Sequence, residues 1–186
     1  LGRSEERHVL AARAVRNAIW DWDLATDELT WADGAHDVFG HPPHAVAGGI
    51  TWWTATIHPD DRARVLAGLH AVVHADDGRT AWEERYRFRR GDGIWAHVVD
   101  RGYVVRTPGA DGAPGRAVRM VGAMLDVTRE REALDAVDLE RRRLDAALGA
   151  LPVGVILAEA PGGRLTYINP AFAAMWGGRR ESAGIA

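Results

Sequence analysis

Two stretches of this chain follow one plan. Ala18 to Trp31 reads AIWDWDLATDELTW and Gly154 to Tyr167 reads GVILAEAPGGRLTY. They align without a gap, so that Leu29 and Thr30 recur as Leu165 and Thr166, and Trp31 as another aromatic, Tyr167. Each runs on into small residues closed by an aromatic–glycine pair, Phe39-Gly40 and Trp176-Gly177, with one extra residue in the second copy. Strand, Gly/Asp turn, strand and short helix make a hairpin entry to a domain, and a repeated entry implies a repeated domain. The first copy is followed by a long stretch of further pattern, whereas the second ends soon after its hairpin at Ala186. The expected organisation is an N-terminal helix over residues 1–17, one full domain over 18–127, a connecting helix over 128–150, and the first part of a second such domain over 151–186.

The chain carries a net charge of −3 with mixed signs, which argues against a nucleic-acid partner. All 23 basic residues are Arg, which reads as genomic bias and not as a binding signature. Without cysteine there are no disulfides, thiolate metal sites or cysteine nucleophiles. No run approaches the ~20 apolar residues of a membrane span, and no signal peptide opens the chain. A cytoplasmic location with no membrane contact in this stretch is the expectation.

In the first domain, Ile19 to Leu24 alternates, with Trp20 and Trp22 on one face and Ile19, Asp21 and Asp23 on the other. Asp27 turns the chain into a second strand, Glu28 to Ala32. Gly34 to Gly40 is read as a short helix, His41-Pro-Pro-His44 as a loop, and His58-Pro-Asp-Asp61 as the start of the longest helix, with Asp60 as N-cap. Val65, Leu66, Leu69, Val72 and Val73 form its apolar face. Three strands follow, Trp82–Arg90, Ile94–Arg106 and Ala117–Val127, the first two joined by the turn Gly91-Asp-Gly93. Two strands, a helical cluster and three antiparallel strands predict an α+β fold with helices on one face of the sheet. The outer face of the last strand (Val121, Ala123, Leu125) is apolar too, and the N-terminal helix around Val9, Leu10 and Val15, from the same or a partner chain, is the expected cover.

Trp20-Asp-Trp-Asp23, His58-Pro-Asp-Asp61, Tyr86-Arg-Phe-Arg-Arg-Gly-Asp-Gly93 with Ile94-Trp95, and Val121-Gly122 followed by Asp126-Val-Thr128 occur in order and at fitting spacing. Together they resemble the PAS family of sensory domains, in the branch carrying the PAC motif, over Ala18 to Arg131, and again over Leu148 to Gly177. The resemblance implies a five-stranded antiparallel sheet with an inner face of Trp20, Trp22, Glu84, Tyr86, Ala96, Val98 and Met124. It also implies a signal junction at Asp126 and Thr128.

That inner face leaves two readings open: bulky side chains that fill the interior, or a bound small molecule. Glu84, as an inward carboxylate in need of a partner, is the pointer to a polar ligand. No cofactor is predicted. Photochemistry that needs a flavin-bonding cysteine is excluded, non-covalent flavin stays open beside Trp20, Trp22 and Tyr86, and haem is disfavoured because His70 and His74 point away from the interior. Neither His41/His44 nor His70/His74 has the further ligands of a metal site, and no catalytic set emerges, so the chain is read as regulatory and not as an enzyme.

From Val127 to Leu151 the apolar period becomes 3.5 residues. Val127, Leu134, Arg141 and Leu148 fall at heptad position a, and Glu130, Val137, Leu144 and Leu151 at d. The expectation is a parallel two-stranded coiled coil, hence a homodimer, with a helix that packs on its own domain as the other reading. By resemblance it is a signalling helix to a downstream output domain in the same chain. A sensor histidine kinase of a bacterial two-component system is the first expectation for that output and a diguanylate cyclase the second.

Overall fold

The computed structural model describes residues 17–33, 35–109 and 114–175. The expected N-terminal helix, and its role as a cover, lie outside the described residues; Asn17 already belongs to the first strand. The chain divides into two compact units, Leu1–Arg131 and Glu132–Ala186.

The first unit carries strands β1 (Asn17–Asp23), β2 (Glu28–Asp33), β3 (Ala81–Arg89), β4 (Trp95–Pro108) and β5 (Pro114–Asp126). They form one antiparallel sheet in the order β2-β1-β5-β4-β3. Between β2 and β3 run helices α1 (Ala35–Phe39), α2 (Pro43–Val46), α3 (Gly49–Thr56) and α4 (Pro59–Val73). The core lies between the helices and one sheet face: Trp20, Phe39, Trp53, Ile57, Val65, Leu69, Tyr86, Phe88, Val98, Met120 and Met124 are all buried. This is the α+β arrangement the element order predicts.

The β1–β2 turn is built locally. Asp23 Oδ1 accepts the amides of Ala25 and Thr26 at 2.8 and 3.0 Å, and Asp27 sits at φ 62°, where a short polar side chain is tolerated. Across the sheet, Gly102 on β4 pairs with Gly122 on β5, and Gly122 with Trp20 on β1. A Cβ on Gly122 would lie 2.2 Å from Trp20 Cζ2, and one on Gly102 2.7 Å from Trp20 Cη2. The two glycines clear the space in which the Trp20 indole lies across the sheet.

Helix α4 is capped two residues earlier than the acidic pair suggests. Pro59 occupies its first turn, as Pro favours, so His58 is the N-cap and its Nδ1 accepts the amide of Asp60 at 3.3 Å. Asp60, expected as the cap, lies inside the first turn. The segment expected as a His-Pro-Pro-His loop contains α2, which Pro43 opens for the same reason. At the other end of α4, Arg106 of β4 donates to the carbonyls of Val72 and Val73 at 2.7 and 3.3 Å, satisfying helix-end acceptors that lack partners within the helix.

Helix α5 (Thr128–Ala150) follows β5 directly. The second unit then forms a hairpin, β6 (Ile156–Glu159) with β7 (Arg164–Ile168), and helix α6 (Pro170–Met175). The sequence repeat is a structural repeat. Trp22 pairs with Leu29 and Asp23 with Glu28 in one hairpin; Ala158 pairs with Leu165 and Glu159 with Arg164 in the other. Thr30 Oγ1 donates to Asp21 O, and Thr166 Oγ1 to Leu157 O, both at 3.3 Å. The turn residue is left-handed in both, Asp27 at φ 62° and Gly163 at φ 65°.

Candidate functional site

Among the described residues the interior of the first unit holds one fully buried carboxylate, Asp100 of β4, 1% exposed. The alternation that turns Ala96 and Val98 inward turns Asp100 inward as well. Its Oδ1 accepts the Trp20 indole N–H at 2.8 Å and its Oδ2 the Tyr86 hydroxyl at 2.6 Å. The Tyr86 oxygen accepts the Trp53 indole N–H at 2.9 Å. One carboxylate thus ties together β1, β3, β4 and, through Tyr86, α3. Burial pushes its pKa up to about 7, although the hydrogen bonds from Tyr86 and Trp20 pull the other way. Burial and the neighbouring Asp100 push the Tyr86 hydroxyl well above its ordinary value.

Beside Asp100 lies a cavity of about 20 Å³, lined by Trp20, Trp22, Leu29, Trp31, Ile50, Trp53, Leu69 and Trp82. That is room for one water molecule. Pockets for drug-sized ligands run to ~300–1,000 Å³, far more than these side chains leave open beside Asp100. An open groove of about 920 Å³ flanks β2 on the outside and shares the wall Leu29, Trp31 and Ile50 with the cavity.

The residues expected on the inner face separate here. Trp20 and Trp22 line the cavity. Tyr86, Ala96, Val98 and Met124 are buried in the core around it, none more than 4% exposed. Trp22 is half-buried, and its indole donates outward to Asp27 Oδ1 at 3.0 Å. Glu84 does not line the cavity: it pairs with Arg64 on α4, a partner across space that sheet alternation alone does not reveal. The interior carboxylate is Asp100, two residues beyond Val98 on the same face. Trp53 and Trp82 also belong to the site; the alternation of β3 puts Trp82 on the face of Glu84 and Tyr86, whereas nothing in the local sequence set Trp53 apart.

Two ladder positions from Asp100, where Val98 pairs with Asp126, lies the junction with α5. Asp126 Oδ1 accepts the amide and the hydroxyl of Thr128 at 2.9 and 2.6 Å, and Oδ2 pairs with Arg90. The Thr128 hydroxyl in turn accepts from the His97 amide at 2.9 Å and from Arg90 at 3.3 Å. Burial raises the Asp126 carboxyl, but the bonds from Thr128 and Arg90 outweigh it and hold the pKa below the ordinary range. Beyond the junction, Leu134, Val137 and Leu144 are 68%, 67% and 56% exposed, and Arg141 pairs loosely with Asp145 at 3.9 Å. Leu148 is partly buried.

Among the described residues there is no group of three or more side chains able to hold a metal ion, and no helix long and apolar enough to cross a membrane. His70 and His74 are exposed and stack on each other.

Comparison with known proteins agrees with this architecture. A PAS fold model matches residues 28–124, and a PAS domain model matches residues 142–185. A crystal structure of a sensory box histidine kinase/response regulator from Burkholderia thailandensis E264 is 32% identical. The match covers 74% of this chain and 97% of that one, with a TM-score of 0.56. A probable diguanylate cyclase of Escherichia coli (strain K12) is 24% identical over 96% of this chain, and a non-motile and phage-resistance protein of Caulobacter vibrioides 29% identical over 89%. The chain spans only 15% and 19% of the length of those two relatives. The matched model over the first unit, its strand order and the repeated hairpin lead to one conclusion: the chain belongs to the PAS family of sensory signalling domains.

Proposed function

We propose that this chain is the sensory and relay part of a longer cytoplasmic signalling protein, with a second PAS domain beginning after the connecting helix and a downstream output domain. The first domain carries the stimulus-sensitive interior, and α5 passes its state onward as a parallel two-stranded coiled coil in a homodimer. The observation that carries this reading is the junction: Asp126, Thr128, Arg90 and the His97 amide bind the end of the sheet to the first turn of a helix. The apolar residues of that helix at heptad spacing stand exposed to a partner. Arg141 at an a position keeps the seam adjustable, at some cost in stability.

The output is a histidine kinase of a two-component system in the first instance, in keeping with the sensory box histidine kinase from Burkholderia thailandensis, and a diguanylate cyclase in the second, in keeping with the Escherichia coli relative. The interior favours a sensor without a large resident cofactor, since its cavity takes only one water. Light scattering tests the dimer. The 20.3 kDa chain is expected at twice its mass, and Leu134→Asp, which places a charge in the seam, at the monomer mass. A parent chain that runs as a monomer would refute the coiled-coil relay.

A further inference from the structure

We propose that the interior of the first domain is a proton-responsive site, in which Asp100 gains and loses a proton and β4 carries the change to the start of α5. The proposal deepens the relay reading above by naming its stimulus.

The hydrogen-bond inventory makes Asp100 a two-state element. Trp53 N–H donates to the Tyr86 oxygen, Tyr86 O–H to one carboxylate oxygen, and Trp20 N–H to the other. Every proton in the chain points towards an ionised carboxylate, which only accepts. A protonated carboxyl brings a donor of its own. If that donor turns to the Tyr86 oxygen, the Tyr86 hydroxyl loses its acceptor, while Trp53 already occupies the same oxygen. The adjoining cavity offers indoles, Leu29, Ile50 and Leu69, so no protein acceptor stands there to replace it. Where the added proton goes to the Tyr86 oxygen it reverses a link between α3, β3 and β4; the other acceptor within reach is the one water the cavity can hold.

The charges around Asp100 set where this happens. From β3, Glu84 stands directly across the ladder and Tyr86 bonds to it; from α4, Arg64 pairs with Glu84. From β1, α3 and β5 come Trp20, Trp53 and Met124, which carry no charge. On β4 itself, the Arg101 guanidinium pairs with Glu83 at 2.8 Å. Among the described residues no guanidinium or imidazole bonds to Asp100, so only the neutral donors of Tyr86, Trp20 and the Arg101 amide oppose its burial, and the proton exchanges near neutrality. The outer groove and the cavity beside Asp100 share the wall Leu29, Trp31 and Ile50.

The route to α5 is equally short. The stretch His97 to Asp100 holds both ends: the His97 amide bonds to Thr128, the His97 carbonyl accepts the Val127 amide at 2.9 Å, and Val98 and Asp100 pair with Asp126 and Met124 of β5.

Carbon-13 NMR of the aspartate carboxyls in the full 186-residue chain tests the proposal. One carboxyl is expected to titrate with a midpoint near 7, far above ordinary aspartates, and to vanish in Asp100→Asn. Tyr86→Phe, which removes a donor to the carboxylate, moves the midpoint up by roughly one pH unit. In a His97→Gln background, which removes the adjacent imidazole, the amide resonances of Val127 and Thr128 are expected to follow the same midpoint. Carboxyls that are all flat between pH 6 and 8.5 overturn the proposal, whether or not Asp100→Asn folds. So does a titrating Asp100 that leaves Val127 and Thr128 unmoved. A monomer in light scattering would sink the dimer relay and leave this titration intact, so the two readings fail separately.

Discussion

Glu84 and Asp100 stand opposite each other in the β3–β4 ladder, yet only Glu84 has a cation, Arg64, while Asp100 is held by the neutral donors of Trp20 and Tyr86. Two carboxylates at one ladder position would repel. Arg64 relieves one of them from the helix side, and burial drives the other towards its protonated form.

That asymmetry has a sign in stability. Asp100 titrates near 7 when folded and near 3.8 when unfolded, so between those values the folded state holds a proton that the unfolded state has lost. The contribution is fully present below pH 3.8 and is lost as pH rises through 7. Urea melts at pH 5 and pH 8 are expected to show the parent losing stability on the alkaline side relative to Asp100→Asn, by on the order of a few kcal/mol at most. Parallel pH dependence in the two proteins would contradict the assignment.

Asp61 acts in the opposite direction. The hydrogen bond from Arg87 leads in holding its carboxyl at about 2. This folded-state pKa lies below the unfolded value, so its contribution is present above pH 3.8 and lost as pH falls through 2. Asp61→Asn is expected to flatten the acid limb of a stability–pH curve and to leave the neutral limb unchanged. The melts to compare are at pH 2.5 and pH 5.

Much of this arrangement was legible in the sequence, for identifiable reasons. Hairpin entries, the His-Pro-Asp-Asp helix start and the Asp-x-Thr junction are local, and local chemistry decides them: Asp23 closes its own turn, and Asp126 bonds Thr128 two residues on. Strand alternation correctly turned Trp20, Tyr86, Ala96, Val98 and Met124 towards the buried face. What alternation leaves out is the partner across space. Glu84 looked like an orphan because Arg64 lies on a helix twenty positions away. Asp100 was in reach of the same rule that selected Val98, but its satisfaction depends on the Trp20 indole and the Tyr86 hydroxyl, which come from two other strands. Arg90 was hidden in a turn, where nothing marks a residue as bound for Asp126.

The two tryptophans of β1 are expected to differ. Trp20 is 5% exposed, lies in the space cleared by Gly102 and Gly122 and bonds to Asp100, whereas Trp22 is half-buried and bonds to surface Asp27. Trp20→Ala is expected to cost ~3–5 kcal/mol, in the range for a buried large aromatic, and Trp22→Ala clearly less. Gly122→Ala puts a methyl group into both the Trp20 ring and the Arg101 carbonyl and is expected to cost ~1–3 kcal/mol. Equal losses in Trp20→Ala and Trp22→Ala denaturant melts would argue against this division of the interior.

The junction is expected to loosen without the domain unfolding. Asp126 supplies acceptors for the Thr128 amide and hydroxyl and pairs with Arg90, and the next turn is closed by the Arg131 amide on the Val127 carbonyl at 3.0 Å. Asp126→Ala removes the acceptors and leaves a half-buried Arg90 without its carboxylate, a change worth ~1–3 kcal/mol locally. The sheet keeps its own ladder, since Val98 pairs with residue 126 through the backbone. Amide exchange is expected to show Thr128 and Arg131 losing roughly tenfold or more in protection, as 1.4 kcal/mol corresponds to tenfold, while core amides such as Val104 hold theirs. A uniform loss across the sheet would mean that the first turn of α5 opens only when the whole domain does, and a relay through Asp126 would then have no separate state to transmit.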